Sequence, residues 1–463
     1  MRRSGPLCYE RPRLAAAIAT ATGSSTPDHG TGFRVRRFGN WFPLGLTYAT
    51  LYMGRYNFNV AKGDIGKAFH FDKGAMGIIA TAGFWAYAIA VLVNGPLADR
   101  FGGRRAILFG TAGSIVMNLI IGALFGTHWP VGLIAGMSTL YAINMYFQSF
   151  GALSVVKVNA AWFHVRERGV LGGLFGSMIS LGYALAMGVG GWLLAAGHGS
   201  FVLVYVVPAG AMGLMLLVDS FVVRDKPSHA GHDDFDTGDE QVAAGAPSKD
   251  GKAPSRWDEF FAVTRHVFKH PVLRRLIVAE FCTGFVRQGL LLYYTEFLKE
   301  VHHVEKTAAL FQVASWGITV GGIIGALTCG FMSDYLFQSR RAPVAFIFYL
   351  GQIVSLIVLG MTHDPTVASV MVGFSCIWIF GVHGLLSGTA SMDFGGRRAA
   401  ATAAGLLDGV QYVGAGLTGF GLGYILDRWH WGVWTLCLVP FSAVGALLML
   451  TLWNAKPNAG AAH

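Results

Sequence analysis

The sequence is poor in charged residues and has no cysteine pattern typical of a metal site. Only 13% of its 463 residues are Asp, Glu, Lys or Arg, whereas 53% are hydrophobic, and this balance excludes a soluble globular chain of that length. Its five cysteines are scattered, so neither a metal nor another cofactor is predicted. The phosphate-binding pattern G-x-x-x-x-G-K-[ST] is also missing, which argues against nucleotide hydrolysis.

Long apolar runs take the place of charge. An α-helix needs about 20 apolar residues to cross roughly 30 Å of hydrocarbon, and runs of this length recur along the chain. They predict an all-α protein of the lipid bilayer with twelve transmembrane helices, at residues 41–61, 76–97, 105–126, 129–151, 169–195, 201–222, 273–298, 307–333, 343–361, 367–389, 400–426 and 431–453.

The loops after the second, fourth, eighth and tenth predicted helices are rich in arginine. Because such loops stay on the cytoplasmic side, both termini are predicted to be cytoplasmic, and we expect the chain in the inner (plasma) membrane of a bacterium. The net charge of +10 belongs mostly to these loops, so no nucleic-acid partner is predicted. Five lysines run against the trend: Lys62, Lys67, Lys73, Lys299 and Lys306.

Three segments lie outside the predicted bundles. Residues 1–40 lack the apolar core of a secretory signal and are predicted to be a disordered cytoplasmic tail, with a transit peptide as the alternative. Residues 223–272 form a linker, whose polar part 229–255 is predicted to be disordered and whose part 256–269 has the spacing of an amphipathic helix on the membrane surface. Residues 454–463 form a second cytoplasmic tail.

A near-repeat links two distant parts of the chain. Residues 95–105 read Gly-Pro-Leu-Ala-Asp-Arg-Phe-Gly-Gly-Arg-Arg, and residues 330–341 read Gly-Phe-Met-Ser-Asp-Tyr-Leu-Phe-Gln-Ser-Arg-Arg. Both have a glycine, an aspartate four residues later and then an arginine pair. We expect these positions to act in a conformational change: Gly95, Asp99, Arg105, Gly330, Asp334 and Arg341.

Two arginines occupy equivalent places in this repeat. Arg55 precedes its glycine by 40 residues, and Arg287 precedes its own by 43. The chain is therefore predicted to form two pseudo-symmetric six-helix bundles, 41–222 and 273–453, with a site near the membrane midplane between them.

Each arginine lies near the middle of a predicted helix, where a charged side chain costs roughly 2.5–3.5 kcal/mol and usually faces the bundle interior. Polar side chains share their helix faces: Tyr48, Tyr52 and Asn59 in the first helix, Gln288 and Tyr294 in the seventh. A guanidinium offers donors in a fixed fork that suits phosphate or carboxylate, so the two arginines are predicted to bind one dianion. A structural arginine tied to a carboxylate or to backbone carbonyls is the alternative.

The eleventh predicted helix carries an acid, Asp408, one turn from Gln411. A carboxylate in an apolar span is protonated, paired or hydrated, so these two residues are predicted either to contact the anion or to partner an arginine. Glu280, near the cytoplasmic end of the seventh helix, is interpreted as an interfacial residue, and His383 as a packing residue.

At these motifs the sequence resembles the major facilitator superfamily. Residues 95–105 resemble its cytoplasmic loop signature, and residues 48–61 are similar to the first helix of its organophosphate:phosphate antiporters, which include the glycerol-3-phosphate, hexose-phosphate and phosphoglycerate carriers. Three later segments match the same family: 284–300, 330–334 and 397–405. The resemblance runs from about 41 to 453 and implies the major facilitator fold.

The resemblance implies that Arg55 and Arg287 bind phosphate, with support from Tyr48, Tyr52 and Tyr87. It implies a secondary antiporter, not an enzyme, that exchanges a small phosphorylated organic anion for inorganic phosphate by alternating access, and we expect a monomer. Three positions depart from the glycerol-phosphate carriers: Val91, Ile179 and Leu292. These departures leave the organic part of the substrate open.

Two other functions also stay open. One is a proton- or sodium-coupled symporter of carboxylates, because other anion carriers of the superfamily also have an arginine in the first helix and Asp408 can take up a proton. The other is a membrane sensor that binds sugar phosphate without transporting it. A dedicated signalling domain would indicate a sensor, and the sequence has only a short tail and a polar linker.

Overall fold

Helices account for nearly all of the chain that the structure describes. The computed structural model describes residues 30–127, 132–164, 168–237, 264–265, 268–338, 340–386 and 405–455. In the first half the helices are α1 Thr31–Phe69, α2 Lys73–Phe101, α3 Gly103–Gly126, α4 Leu133–Trp162, α5 Arg168–Ala196 and α6 Val202–Val222. In the second half they are α7 Pro271–Glu300, α8 Ala309–Phe331, α9 Arg341–Met361, α10 Pro365–His383, α11 405–429 and α12 Trp434–Thr451.

These helices confirm the prediction of an all-α fold with twelve helices. Among the described residues, eight helices are long and apolar enough to cross a membrane by length and composition. Helix α1 is not one of the eight because it carries many polar side chains, and these are buried inside the bundle, where they meet protein instead of lipid. We call the end of the bundle where α2 meets α3 the basic end, and the end where α1 meets α2 the opposite end.

Helix α1 begins ten residues earlier than the sequence predicted. Residues 31–40 were expected in a disordered tail, but they continue the helix. The Arg36 guanidinium donates to the carbonyl of Val222 at 2.7 Å, and the Asn40 amide exchanges two hydrogen bonds with the backbone of Arg224, at 2.7 and 3.2 Å. These contacts with the end of α6 stabilise the extra turns, and periodicity within α1 does not reveal them.

The start of the linker is also ordered, contrary to the predicted disorder of residues 229–255. Its described part contains a 3-10 turn at Pro227–Ala230. The Asp234 carboxylate accepts from the backbone N–H and the hydroxyl of Ser228, both at 2.9 Å, and two linker rings pack against Phe33. The predicted amphipathic helix 256–269 lies outside the described residues, except for 264–265 and 268–269.

The two halves contact each other along α2 and α11 and along α5 and α8. At the first of these contacts, the Thr81 hydroxyl donates to the carbonyl of Gly416 at 2.6 Å and accepts from the N–H of Phe420 at 2.9 Å. Those two backbone groups would bond each other in an ordinary α-helix. The inserted hydroxyl therefore accounts for the π-helical turn Thr418–Leu422 in α11.

Close approach of α2 and α11 requires glycine at this contact. A Cβ atom on Gly77 would lie 1.9 Å from the carbonyl oxygen of Gly419, far inside van der Waals distance. By contrast, a Cβ atom on Gly210, which is exposed on α6, would meet nothing within 4 Å.

We expect Gly77→Ala to destabilise this conformation by about 1–3 kcal/mol, because the added methyl group forces two backbones apart. The matched control Gly210→Ala should be neutral or stabilising, since alanine favours helix by about 1 kcal/mol over glycine. Thermal unfolding of purified protein in detergent measures both. A melting temperature for Gly77→Ala equal to that of the parent would contradict the close contact of α2 and α11.

Candidate functional site

Arg55 of α1 lies at the centre of the bundle in a pocket of aromatic rings. Its guanidinium carbon is 4.4 Å from the ring centroid of Tyr52 and 4.6 Å from that of Tyr87. Nη1 donates to the Tyr412 hydroxyl of α11 at 3.2 Å, and Nη2 makes long contacts of 3.4 and 3.5 Å with the carbonyl and the side-chain oxygen of Gln148. The side chain is fully buried. Cation–π contacts and neutral oxygens hold this charge.

Arg287 of α7 approaches the same point from the second half. Its Nη2 donates to the side-chain oxygen of Gln411 at 2.9 Å, and its guanidinium carbon lies 5.6 Å from the centroid of the Tyr412 ring. The Tyr412 ring also packs against the Tyr87 ring at a tilt, with centroids 4.3 Å apart. Tyr412 therefore lies between the two arginines and joins them across the interface of the halves.

No carboxylate among the described residues lies within 4 Å of either guanidinium, and the Nε atoms of both arginines have no hydrogen-bond partner there. Asp408 interacts electrostatically with both arginines, and Glu280 with Arg287, each from beyond ion-pair distance. A buried cation without a paired anion is costly. The described part of the site thus offers spare donors and two guanidinium groups with no carboxylate in direct contact.

A polar network behind Arg55 fixes the backbone of α1. The Tyr141 hydroxyl donates to the carbonyl of Arg55 at 3.0 Å, and the Asn144 amide donates to the carbonyl of Gly54 at 3.3 Å. Asn118 of α3 then donates to Asn144 at 3.3 Å. Buried networks whose members are bonded hold their groups rigidly, so this one positions the arginine.

The structure brings most, but not all, of the predicted site residues to the arginine pair. Tyr52, Tyr87 and Gln411 touch an arginine, and the Tyr48 ring lies 5.2 Å from the Tyr52 ring. Two other predicted residues make no hydrogen bond with either arginine. The Asn59 amide is buried without a hydrogen bond to any described residue, and the Tyr294 hydroxyl lies 3.2 Å from that of Ser315 in α8.

Sequence reasoning missed five residues near the pair: Gln148, Tyr412, Glu280, His383 and Tyr56, whose hydroxyl accepts from Gln288 at 3.2 Å. Glu280 was interpreted as interfacial, yet it is fully buried. The signal was its spacing, because seven residues before Arg287 is two turns earlier on the same helix face. His383 was interpreted as packing, yet its Nδ1 lies 2.6 Å from Nε2 of Gln411.

The repeated loop motif is only partly described. Gly95 and Gly330 lie in open space, where an added Cβ would meet nothing within 4 Å. Arg341 donates to the Ser333 hydroxyl at 2.9 Å, and Arg105 is exposed. Two motif side chains lie outside the described residues: Asp99 and Asp334. The role of this motif stays a prediction.

Ion pairs close the opposite end of the bundle. Lys62 of α1 is fully buried, with its Nζ 3.4 Å from a carboxylate oxygen of Glu296 in α7 and 3.5 Å from the centroid of the Tyr293 ring. Asp64 contacts Lys299 at 3.1 Å and Lys306 at 2.7 Å. Burial lowers the pKa of the Lys306 ammonium, and the Asp64 charge opposes that shift.

These pairs explain the lysines that run against the predicted charge bias. Glu300 of α7 contacts Lys73 at 3.0 Å and Lys67 at 3.7 Å. Each of the five lysines is therefore paired with an acid of the other half. We call these contacts the opposite-end latch: Lys62–Glu296, Asp64–Lys299, Asp64–Lys306, Lys67–Glu300 and Lys73–Glu300.

Comparisons with known proteins identify a matching family and solved structures that share the fold. The family model described as Major Facilitator Superfamily matches residues 44–419. Two solved structures share the fold: a bacterial homologue of the human lysosomal transporter Spinster in an inward-facing, unoccupied conformation (TM-score 0.64, 18% identity, 91% of this chain and 94% of that one), and the nucleoside transporter NupG (TM-score 0.64, 14% identity, 89% and 99%).

Three curated relatives match almost the whole chain. The membrane sensor protein UhpC of Escherichia coli strain K12 is 27% identical over 432 residues, which cover 89% of this chain and 91% of the relative. A probable hexose phosphate transport protein of Chlamydia pneumoniae is 25% identical over 437 residues (91% and 92%). The glycerol-3-phosphate transporter of Bacillus subtilis strain 168 is 25% identical over 431 residues (89% and 91%).

We expect Lys62→Met to open the opposite end. This substitution leaves Glu296 buried without its cation, and breaking a buried ion pair in this way costs about 3–5 kcal/mol of stability. Spin labels at the exposed positions His70 and His303, in a cysteine-free background, report the opening as a longer distance in pulsed electron resonance. The swap Lys62→Glu with Glu296→Lys should restore much of the short distance. An unchanged distance distribution in Lys62→Met would show that this pair does not hold the end closed.

Proposed function

Since the chain belongs to the Major Facilitator Superfamily, we propose that it is a secondary transporter that exchanges a phosphorylated small organic anion for inorganic phosphate. One observation carries the proposal. Arg55 and Arg287 come from different halves, are buried, and have no carboxylate within 4 Å among the described residues. The curated relatives, which include a glycerol-3-phosphate transporter and a probable hexose phosphate transport protein, support phosphate as the common ligand.

Phosphate fits the donors that this site presents. A guanidinium forms two parallel hydrogen bonds with a phosphate, and charged hydrogen bonds are roughly twice as strong as neutral ones. In this structure, neutral groups contact the arginines: the Tyr412 hydroxyl on Arg55 and the Gln411 amide on Arg287. We propose that the phosphate takes the place of these two contacts and bridges the guanidinium groups.

A ligand shared by both halves also accounts for alternating access. The opposite-end latch holds the halves together at one end, so this conformation is closed there. We place the basic end in the cytoplasm, as its arginines predict, and the site then opens inward when the halves part at that end. Phosphate on both arginines favours conformations in which the halves are close together, and its release allows them to separate.

A sensor is the second candidate function. One observation favours it: the relatives that match the chain include the membrane sensor protein UhpC. A sensor and a transporter would use the same anion site, because both must recognise the ligand. Transport across a sealed membrane distinguishes them.

Counterflow tests the proposal. Proteoliposomes loaded with inorganic phosphate and containing the purified protein should take up labelled external phosphate and phosphate esters without a proton gradient. Binding without uptake would support the sensor. A strict need for a proton or sodium gradient, with carboxylates preferred over phosphate, would support the symporter and overturn exchange.

We expect Arg55→Lys and Arg287→Lys each to weaken phosphate binding about 10–150-fold. Lysine keeps the charge but loses the bidentate fork, and one charged hydrogen bond contributes about 1.5–3 kcal/mol. Arg274→Lys is the matched control, because Arg274 is an exposed arginine of the same helix as Arg287. Displacement of labelled phosphate from protein in detergent measures all three. Phosphate affinities of the first two variants equal to that of Arg274→Lys would overturn the site.

The double variant Arg55→Ala with Arg287→Ala should bind phosphate little worse than either single variant. One dianion shared by two guanidinium groups makes their effects non-additive, since either loss already breaks the shared contact. The same displacement assay measures the coupling. Additive losses would show that the two arginines act on separate ligands.

A further inference from the structure

Three side chains lie on the side of Arg287 that faces the basic end of the bundle. They have no part in binding phosphate as proposed above. They come from three helices: Glu280 from α7, His383 from α10 and Asp408 from α11. The carboxylates of Glu280 and Asp408 interact electrostatically with each other and with Arg287. We call these three residues the acidic cluster.

Glu280 is fully buried, and neither of its carboxylate oxygens has a hydrogen-bond partner among the described residues. The only nitrogen that any described contact brings toward it is Nδ1 of His383, at 3.8 Å. That nitrogen lies 2.6 Å from Nε2 of Gln411, whose side-chain oxygen accepts from Arg287. Nε2 of Gln411 is therefore a donor and Nδ1 an acceptor, so His383 is a neutral imidazole and supplies no cation. A buried carboxyl group without a hydrogen-bond partner is either protonated or lacks a donor, and a cationic donor placed beside it would stabilise its ionised form.

Asp408 extends the cluster toward the interface of the halves. It is only partly buried, and no hydrogen bond to its carboxylate appears among the described residues. It lies one helical turn before Gln411, about 4–5 Å along the axis, and Glu280 lies two turns before Arg287, about 10 Å. The missing donor would thus lie on the order of 5–10 Å from the phosphate, a separation found within one small molecule.

Charge decides what kind of donor fits. A phosphate dianion neutralises the two arginines and leaves two carboxylates facing an anionic ligand. A hydroxyl supplies a donor but no charge, whereas an ammonium group supplies three donors and a positive charge. We propose that the acidic cluster is a subsite for the protonated amino group of the substrate, so that the preferred substrates are phosphate monoesters that carry an amine.

This inference rests on the proposed phosphate site, because the arginine pair has to hold the other end of the ligand. Two matched pairs of esters test it, each pair differing only by an amino group in place of a hydroxyl. One pair is glucosamine 6-phosphate and glucose 6-phosphate, and the other, with a shorter spacing, is ethanolamine phosphate and 2-hydroxyethyl phosphate. The assay is displacement of labelled phosphate from protein in detergent, at a pH where the amines are protonated.

The parent protein should prefer the amino ester about tenfold or more in at least one pair, the size of one charged hydrogen bond. Asp408→Asn and Glu280→Gln, which keep the shape and remove the charge, should reduce that preference to about twofold. Both variants should still bind inorganic phosphate, which shows that they are folded. Asp233→Asn is the control, because Asp233 is exposed in the linker.

The outcomes separate the two proposals. Phosphate binding with no preference in either pair overturns the amine subsite and leaves the phosphate site standing. An amine preference that survives in both acid variants also overturns the subsite. If the parent protein does not bind phosphate, the proposed function is overturned, and the subsite with it. An amine preference without uptake in proteoliposomes supports the subsite and counts against exchange.

Discussion

Two buried positive charges, one from each half of the chain, have to be stabilised by the protein around them. Arg55 and Arg287 are buried away from bulk water, and their direct contacts among the described residues are neutral oxygens and aromatic faces, while two carboxylates lie beyond ion-pair distance. Two like charges near an interface repel each other unless something negative lies between them. The proposed binding site therefore lies at the junction between the halves, and an anion bound there would affect how the halves pack together.

The contacts around this centre divide into two kinds. Those within the first half, such as the hydrogen bonds from Tyr141 and Asn144 to the backbone of α1, hold one arginine in a fixed place. Those between the halves include ion pairs and hydrogen bonds, such as Lys62 with Glu296 and Thr81 with Gly416. A rigid half and a breakable interface are what alternating access requires, because each half moves as a body while the contacts between them change.

Helix periodicity, charge bias and the internal repeat predicted the twelve helices and the equivalent places of the two arginines, because those features depend on local spacing. Local spacing could not predict which side chains join the two arginines. Arg55 and Tyr412 are 357 residues apart, and a pattern along one helix says which face is polar but not which distant side chain it meets. The lysines of the opposite-end latch ran against the predicted charge bias, and local spacing could not explain them, since their acidic partners lie in the other half.

The two halves surround their equivalent arginines with different side chains. Around Arg55 the first half places tyrosine rings and the Gln148 side chain, and the rings stabilise the cation. Next to Arg287 the second half places Gln411, His383 and two carboxylates. Under the proposed function, the aromatic side would serve the phosphate that every substrate shares, whereas the acids near Arg287 would distinguish one substrate from another. On that proposal, we expect selectivity for the organic part of the ligand to depend mainly on α7, α10 and α11.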